Sequence, residues 1–109
     1  MKHKDIHPSI EQIKSGYIIF LKNIRKQEPE KFAETSERIL YMFIRRFIDT
    51  NFDGILNQLD HNFYDRVRDR IATNREMAAM DEETELMYSV HLKTYSQFLE
   101  SKSFQKIFK

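Results

Sequence analysis

The segment Met87–Leu99 constrains the fold of this chain more than any other part of its sequence. Four large side chains in it recur at i, i+4, i+7 and i+11: Tyr88, Leu92, Tyr95 and Leu99. This spacing places them on one stripe of an α-helix. A buried tyrosine also needs a hydrogen-bond partner for its hydroxyl. The pattern therefore predicts a helix that docks against other helices.

Turn-forming residues are scarce, since the 109 residues include only two Gly and two Pro. Sheet-rich folds need many turns, whereas helices joined by short polar loops need few. Nine Phe and five Tyr supply volume for one core. We therefore predict the all-α class, as a compact bundle of four main helices plus short helical turns. Gly16 falls inside the first helix, and a neighbour packed over it would explain its presence.

Capping residues and apolar spacing locate the first two helices. Ser9 opens the first through a Ser-x-x-Gln capping box, and this helix is predicted to end near Lys26. A short lead-in, residues 29–34, precedes the second helix, for which either Thr35 or Ser36 is the predicted cap.

The second half of the chain carries similar signals. Asp60 is the predicted cap of the third helix, after a possible helical turn at 54–59. Residues 73–82 fit either a loop or an extra turn. Acids crowd residues 81–85, and negative charge there suits the N-terminus of a fourth helix. A short terminal helix is predicted around 104–108.

The N-terminal residues 1–8 are polar and are predicted to form a flexible arm ahead of a single helical domain, residues 9–109. His3 and His7 in this arm are four residues apart, a spacing that suits a metal on a helix. No acid or cysteine completes such a set, so we interpret both as solvated side chains.

Charge and composition narrow the classes of function. The 18 basic and 17 acidic residues give a net charge of +1, which is not the profile of a protein that binds phosphate by bulk charge. The absence of cysteine excludes disulfides and thiol catalysis. The longest apolar run, residues 39–44, is far shorter than the about 20 residues of a membrane span. We predict a cytoplasmic location.

The loop after the second predicted helix resembles a calcium loop of the EF-hand type. Asp49, Asn51, Asp53 and Gly54 match its positions 1, 3, 5 and 6, and Asp60 stands at position 12. Alternating oxygen ligands suit a hard cation, although position 12 is usually a glutamate and such loops usually come in pairs. The alternative is a polar loop that ends in a helix cap.

Chemistry-bearing motifs are otherwise lacking: the sequence has no nucleophile motif, phosphate-binding glycine loop or zinc-type spacing. We therefore expect neither an enzyme nor a cofactor. Acids and bases interleave on the third helix, where they allow i, i+3 and i, i+4 pairs. Arg38 and Arg45, seven residues apart, share one face of the second helix, and Arg46 is nearby. These arginines form either a local basic face or ordinary solubilising charge.

Two segments carry a further pattern of bulky and basic residues. The first runs from Tyr17-Ile18-Ile19-Phe20-Leu21 through Thr35 and Ser36 to Tyr41-Met42-Phe43-Ile44-Arg45-Arg46-Phe47, and the second is Tyr88-Ser89-x-x-Leu92-Lys93-x-Tyr95-x-x-Phe98-Leu99. Together they resemble the helical, SAM-like N-terminal modules of phage-type integrases (tyrosine recombinases). Similar helical modules precede nuclease domains of the restriction and HNH types.

The resemblance implies a small helical bundle that clamps duplex DNA as part of a larger protein. It implies phosphate contacts from Arg45 and Arg46, with Lys93 on the last main helix. The catalytic Arg…His-x-x-Arg…Tyr set of such enzymes does not follow in this sequence. We therefore expect binding without cleavage.

The alternative is a protein–protein module or a homodimer. Large apolar residues near loops and the terminus motivate it: Phe52, Phe104, Ile107 and Phe108. A small bundle has limited room to bury them all, and an exposed apolar patch marks an interface. The expected partner is therefore either duplex DNA or a protein, which includes a second copy of this chain.

Overall fold

Six helices and no strand make up the regular structure of residues 8–108, the part of the chain that the computed structural model describes. They are α1 (Ile10–Asn23), α2 (Pro29–Phe47), α3 (His61–Thr73), α4 (Arg75–Glu83), α5 (Met87–Leu99) and α6 (Lys102–Lys106). This confirms the predicted all-α class, with four long helices and two short ones. None of the six combines the length and hydrophobicity of a bilayer-spanning segment. Residues 1–7 of the predicted arm, with His3 and His7, lie outside the described residues.

The start of α1 is built as predicted. Ser9 Oγ accepts a hydrogen bond from the Gln12 backbone N–H at 3.1 Å, and Gln12 Oε1 accepts one from the Ser9 N–H at 2.8 Å. A neighbour also packs over Gly16, since a Cβ atom there would lie 2.6 Å from Ile107 Cδ1. Ile107 directly follows α6, so this close contact seats the terminal helix on α1.

Helix α2 begins earlier than predicted. It runs for 19 residues from Pro29, so residues 29–34 are helical and neither Thr35 nor Ser36 is a cap. A proline suits the first helical position because its φ angle is already helical and its missing N–H needs no partner. The buried face of α2 also begins before Ser36, at Ala33, and continues from there through Ile44. The packing of the helix therefore includes its first turns.

The stretch 73–82, predicted as either a loop or an extra turn, contains most of α4, which runs from Arg75 to Glu83. Its cap is Asn74, whose Oδ1 accepts a hydrogen bond from the Met77 backbone N–H at 3.0 Å. Met77 is completely buried, which anchors this short helix in the core. The length of α4 depends on that burial, because short helices are marginal without tertiary packing.

The acids of residues 81–85 end α4 and form the following turn, so their predicted place at the start of the next helix is wrong. One of these acids, Asp81, still binds the first turn of the next helix, α5, although it belongs to α4. The buried carboxylate of Asp81 accepts hydrogen bonds from the Ser89 N–H at 3.0 Å and the Ser89 hydroxyl at 2.5 Å. Ser89 lies in the first turn of α5, where negative charge is stabilising.

Helix α5 lies at the centre of the domain and contacts each of the other five helices. Leu92 and Tyr95 are completely buried, and Leu99 is nearly so. Tyr88 is half-buried and stacks on Phe43 of α2, with ring centroids 4.3 Å apart. The stripe predicted from the sequence is therefore the packing face of this helix.

The segment between α2 and α3 is folded into the core without forming a helix. Phe52, Ile55 and Leu56 are buried, so Phe52 is not available for the exposed apolar patch of the alternative protein–protein module. The Tyr95 hydroxyl donates a hydrogen bond to the Ile55 carbonyl at 2.6 Å, which provides the predicted partner for a buried tyrosine. Gly54 adopts a φ angle of 124°, a region open mainly to glycine, where the segment turns.

A buried polar network joins three helices. The Tyr17 hydroxyl of α1 lies 2.9 Å from Ser36 Oγ of α2, which lies 2.5 Å from His91 Nδ1 of α5. All three residues are buried. The arrangement that uses every proton has Tyr17 donating to Ser36 and Ser36 donating to an unprotonated Nδ1, so that His91 carries its proton on Nε2.

The environment of this network keeps it uncharged. Burial lowers the pKa of His91 to about 4, and the positive charge of Lys26 adds to the effect. Burial likewise raises the pKa of Tyr17 well above its ordinary value. At neutral pH the network therefore consists of neutral hydrogen-bonding groups.

Replacing the middle member of the network tests its contribution to stability. We expect Ser36→Ala to lower the free energy of unfolding by about 1–3 kcal/mol, because it leaves the Tyr17 hydroxyl and His91 Nδ1 without their partner. Ser15→Ala, at an exposed position on α1, is the matched control and should change it by less than about 0.5 kcal/mol. Urea unfolding measures the free energy of unfolding of both variants. Equal losses in the two would contradict a stabilising role of the Ser36 hydrogen bonds.

The depressed pKa of His91 also gives the stability a pH dependence. The pKa is about 4 in the folded protein against an ordinary value of 6.5, so the unfolded chain binds the proton more readily between these limits. The free energy of unfolding should therefore fall as the pH is lowered from 6.5 towards 4, by about 3 kcal/mol in total. His91→Gln should remove this part of the dependence. Parallel losses in both proteins across that pH range would refute the assignment.

Candidate functional site

The predicted arginines of α2 lie on its exposed side but in different surroundings. Arg45 donates a hydrogen bond from Nη1 to the Tyr41 hydroxyl at 2.7 Å, and its guanidinium lies 5.2 Å from the centre of that ring. Arg38, two turns earlier, lines a groove that also contains three acids: Glu34, Glu37 and Asp53. The surface around Arg38 is therefore of mixed charge.

Lys93 points away from the face of α5 that carries Tyr88. It follows Tyr88 by five residues, which places it about 140° further around α5 at about 100° per residue. Tyr88 faces Phe43 of α2, whereas Lys93 is exposed to solvent. Lys93 therefore lies on a different face of α5 from the contact between Tyr88 and α2.

A different set of basic residues meets at the C-terminal end of α2. Arg46 Nη2 lies 3.6 Å from Glu76 Oε2 in the first turn of α4, so the neighbouring Arg75 lies beside this end. Ile48, just after α2, lines a groove together with Arg66 and Arg70 of α3. We refer to the five arginines that three helices bring to this end as the arginine pole: Arg45, Arg46, Arg66, Arg70 and Arg75.

The groove beside the pole, which we call the arginine groove, has a volume of about 380 Å³. Its apolar lining comes from Ile48, Phe63 and Val67, and its polar lining comes from Arg66, Asp69, Arg70 and Thr73. No carboxylate of residues 8–108 lies within 4.0 Å of a nitrogen of Arg66 or Arg70. Both guanidinium groups can therefore receive an anionic ligand, and the surface between them suits an apolar group.

Sequence reasoning missed Arg66 and Arg70 because it assigned them to pairs with acids on the same helix. Asp69, three residues after Arg66, lines the arginine groove but forms no ion pair within 4.0 Å with any residue that the structure describes, and Asp65 is turned towards α5. Asp65 Oδ1 accepts a hydrogen bond from the Ser96 hydroxyl at 2.7 Å, and its Oδ2 lies 3.4 Å from His61 Nδ1. The spacing of Phe63, Arg66 and Arg70 at i, i+3 and i+7 is a signal that could have placed the two arginines on one face.

Two of the four oxygen-bearing side chains in the calcium-type loop accept hydrogen bonds from backbone N–H groups in this structure. Asp49 Oδ1 accepts a hydrogen bond from the Asn51 N–H at 2.9 Å, and Asp60 Oδ1 accepts one from the Asn62 N–H at 3.0 Å. Asp60 is therefore the cap of α3, as the alternative interpretation holds, while Asp53 lies in the groove of Arg38. Across residues 8–108, no three His, Asp or Glu side chains are grouped so that they could hold a metal ion.

The Ser36–His91 pair contains the groups of a nucleophile and a base, but only His91 borders a surface groove. The Ser36 side chain is completely buried in the interior of α2. Phe32 covers the His91 ring, with centroids 4.0 Å apart and ring planes at 17°. Lys26 in turn lies 4.6 Å from the centre of the Phe32 ring. We interpret the pair as a structural link between α2 and α5.

Comparison with known proteins adds no relative to this description. No protein-family model matches the chain, and neither a curated protein nor a solved structure matches it significantly. The resemblance to the N-terminal modules of integrases therefore stays a prediction that depends on the motifs quoted above.

Proposed function

We propose that this domain is a non-catalytic module that binds duplex DNA, with phosphate contacts from the arginine pole. The observation that carries the proposal is that arginines of three helices lie near one end of the domain. Arg45 and Arg46 are in the last turn of α2, and Arg66 and Arg70 line the arginine groove together with Ile48. Arg75 precedes Glu76, the partner of Arg46. A guanidinium presents several donors in a planar fork and can bind two phosphate oxygens at once. The acids close to the arginine pole in sequence or in the arginine groove are fewer than its five arginines: Asp49, Asp69 and Glu76.

Charge is distributed unevenly along α2. The first half of the helix and the residue before it contain four acids, and a lysine lies within 4.0 Å of three of them: Glu28, Glu30 and Glu37. The last turn of the same helix contains Arg45 and Arg46. Attraction of a duplex is therefore expected at the last turn of α2, and the paired first half contributes little to it.

The arrangement also explains why we propose contacts to phosphate rather than to base edges. The arginines come from three elements and spread around a helix end, whereas base reading needs one element inserted into a groove of the duplex. Such contacts position the protein on DNA without strong sequence preference. Their affinity falls with salt because counterions are released from the DNA on binding.

Fluorescence anisotropy with a labelled duplex of about 20 base pairs at about 50 mM salt tests the proposal. We expect binding, and we expect both Arg45→Ala/Arg46→Ala and Arg66→Ala/Arg70→Ala to weaken it by about tenfold or more. If all four arginines contact phosphates, each double variant should also reduce the slope of log K against log salt by about 2.

The matched control is Lys93→Ala/Lys102→Ala, which removes the same charge from α5 and α6. It should leave the affinity within about twofold of the wild type, because at this salt concentration most long-range attraction between exposed charges is screened beyond about 14 Å. No anisotropy change in the wild type would refute the proposal. A control variant as weak as the pole variants would refute the assignment of the site.

A further inference from the structure

A second exposed surface has the chemistry that complements the arginine groove. Its three apolar members are adjacent in space or sequence: Leu86 is 52% exposed, Met87 39% and Val90 40%. Leu86 and Val90 lie one turn apart, on the same side of the start of α5. Three exposed acids directly precede them. We call this surface the acidic-apolar patch: Glu82, Glu83, Glu85, Leu86, Met87 and Val90.

The backbone presents this patch in a fixed conformation. Glu85 and Leu86 both have left-handed φ angles, 58° and 64°, which end α4 and turn the chain into α5. The Leu86 N–H donates a hydrogen bond to the Asp81 carbonyl at 2.7 Å, and the Asp81 carboxylate binds Ser89. The apolar side chains are thus exposed on a turn that is held at both ends, so little conformational freedom remains to be lost on binding.

Within one molecule the acidic-apolar patch does not occupy the arginine groove. Arg66 and Arg70 line that groove, whereas Leu86 lies beside Arg68 and Ala72. Residues two apart on a helix point about 200° apart, so Arg68 and Arg70 face different sides of α3, and Asp69 between them borders both grooves. In this fold a patch can therefore enter the arginine groove only on another copy of the chain.

We propose that the acidic-apolar patch of one copy docks in the arginine groove of a second copy. The carboxylates of the patch would face Arg66 and Arg70, and Leu86 would pack on the apolar lining of the groove. Because the two surfaces differ, the contact is head-to-tail. A dimer therefore keeps an unused groove on one copy and an unused patch on the other. The proposal extends the proposed function in one respect, because a docked second copy occupies arginines that would otherwise contact DNA.

Sedimentation in the absence of DNA, at protein concentrations from about 10 µM to about 1 mM, tests the contact directly. We expect the wild type to form species of increasing size, as an open head-to-tail contact requires. The groove variant Arg66→Ala/Arg70→Ala and the patch variant Glu82→Gln/Glu83→Gln/Leu86→Ala should each remain monomeric. Circular dichroism and urea unfolding establish that both variants are folded.

An equimolar mixture of the two variants gives the decisive result. The groove variant keeps its patch and the patch variant keeps its groove, so together they can form one contact and no more. We expect a 1:1 dimer that does not grow with concentration. A mixture that stays monomeric, or a wild type that is monomeric throughout, would overturn the proposal.

Ile10→Ala/Ile19→Ala is the matched control, since both side chains are exposed on α1, at 51% and 53%. It should associate like the wild type, and loss of association in this variant would also count against the contact.

The DNA-binding measurement is independent of the sedimentation measurement. Anisotropy with dilute protein can show binding when self-association is absent, and sedimentation can show self-association when DNA binding is absent. If both occur, added duplex should convert the oligomers into protein–DNA complexes, and oligomers that persist would exclude a shared site.

Discussion

The burial of Tyr95 at the centre of α5 is the interaction on which the rest of the structure depends. Its ring packs edge-on against Tyr17 of α1 and Tyr64 of α3, and its hydroxyl is fixed on the Ile55 carbonyl. One side chain therefore joins two helices to the long connection between α2 and α3. That connection leads from Ile48 into α3, which carries Phe63, so it sets the distance between the two walls of the arginine groove. The geometry of the surface follows from hydrogen bonds made in the core.

Much of the fold was predictable because its signals are local. The periodic stripe of α5, the capping box at Ser9 and the cap at Asp60 each depend on residues a few positions apart, and the structure contains all three. The role of Ser36 could not be predicted, because its partners lie 19 and 55 residues away. A serine beside a proline-led segment has the local pattern of a cap, and only the packing of α1 and α5 around it makes it an interior group.

The candidate site was predicted in part, for a related reason. Arg45 and Arg46 could be placed on one helix from their spacing, but their relation to Lys93 depends on how α2 and α5 are rotated against each other. Arg66 and Arg70 were hidden by neighbouring acids, which formal charge counts as partners. In the structure Asp65 contacts Ser96 and His61. The balance of charges along the sequence therefore does not predict the net charge of each exposed surface.

The contact between Gly16 and Ile107 determines how the last helix is attached. Helix α6 has only five residues, and none of its own side chains is fully buried, so its position depends on the slot that the missing side chain of Gly16 leaves on α1. Segments held by so few interior contacts open at a lower free energy than the whole domain. Release of α6 would uncover the edge of the core at Phe98, whose ring packs against Phe104, while the central helices stayed assembled. We therefore expect α6 to detach before the central helices separate.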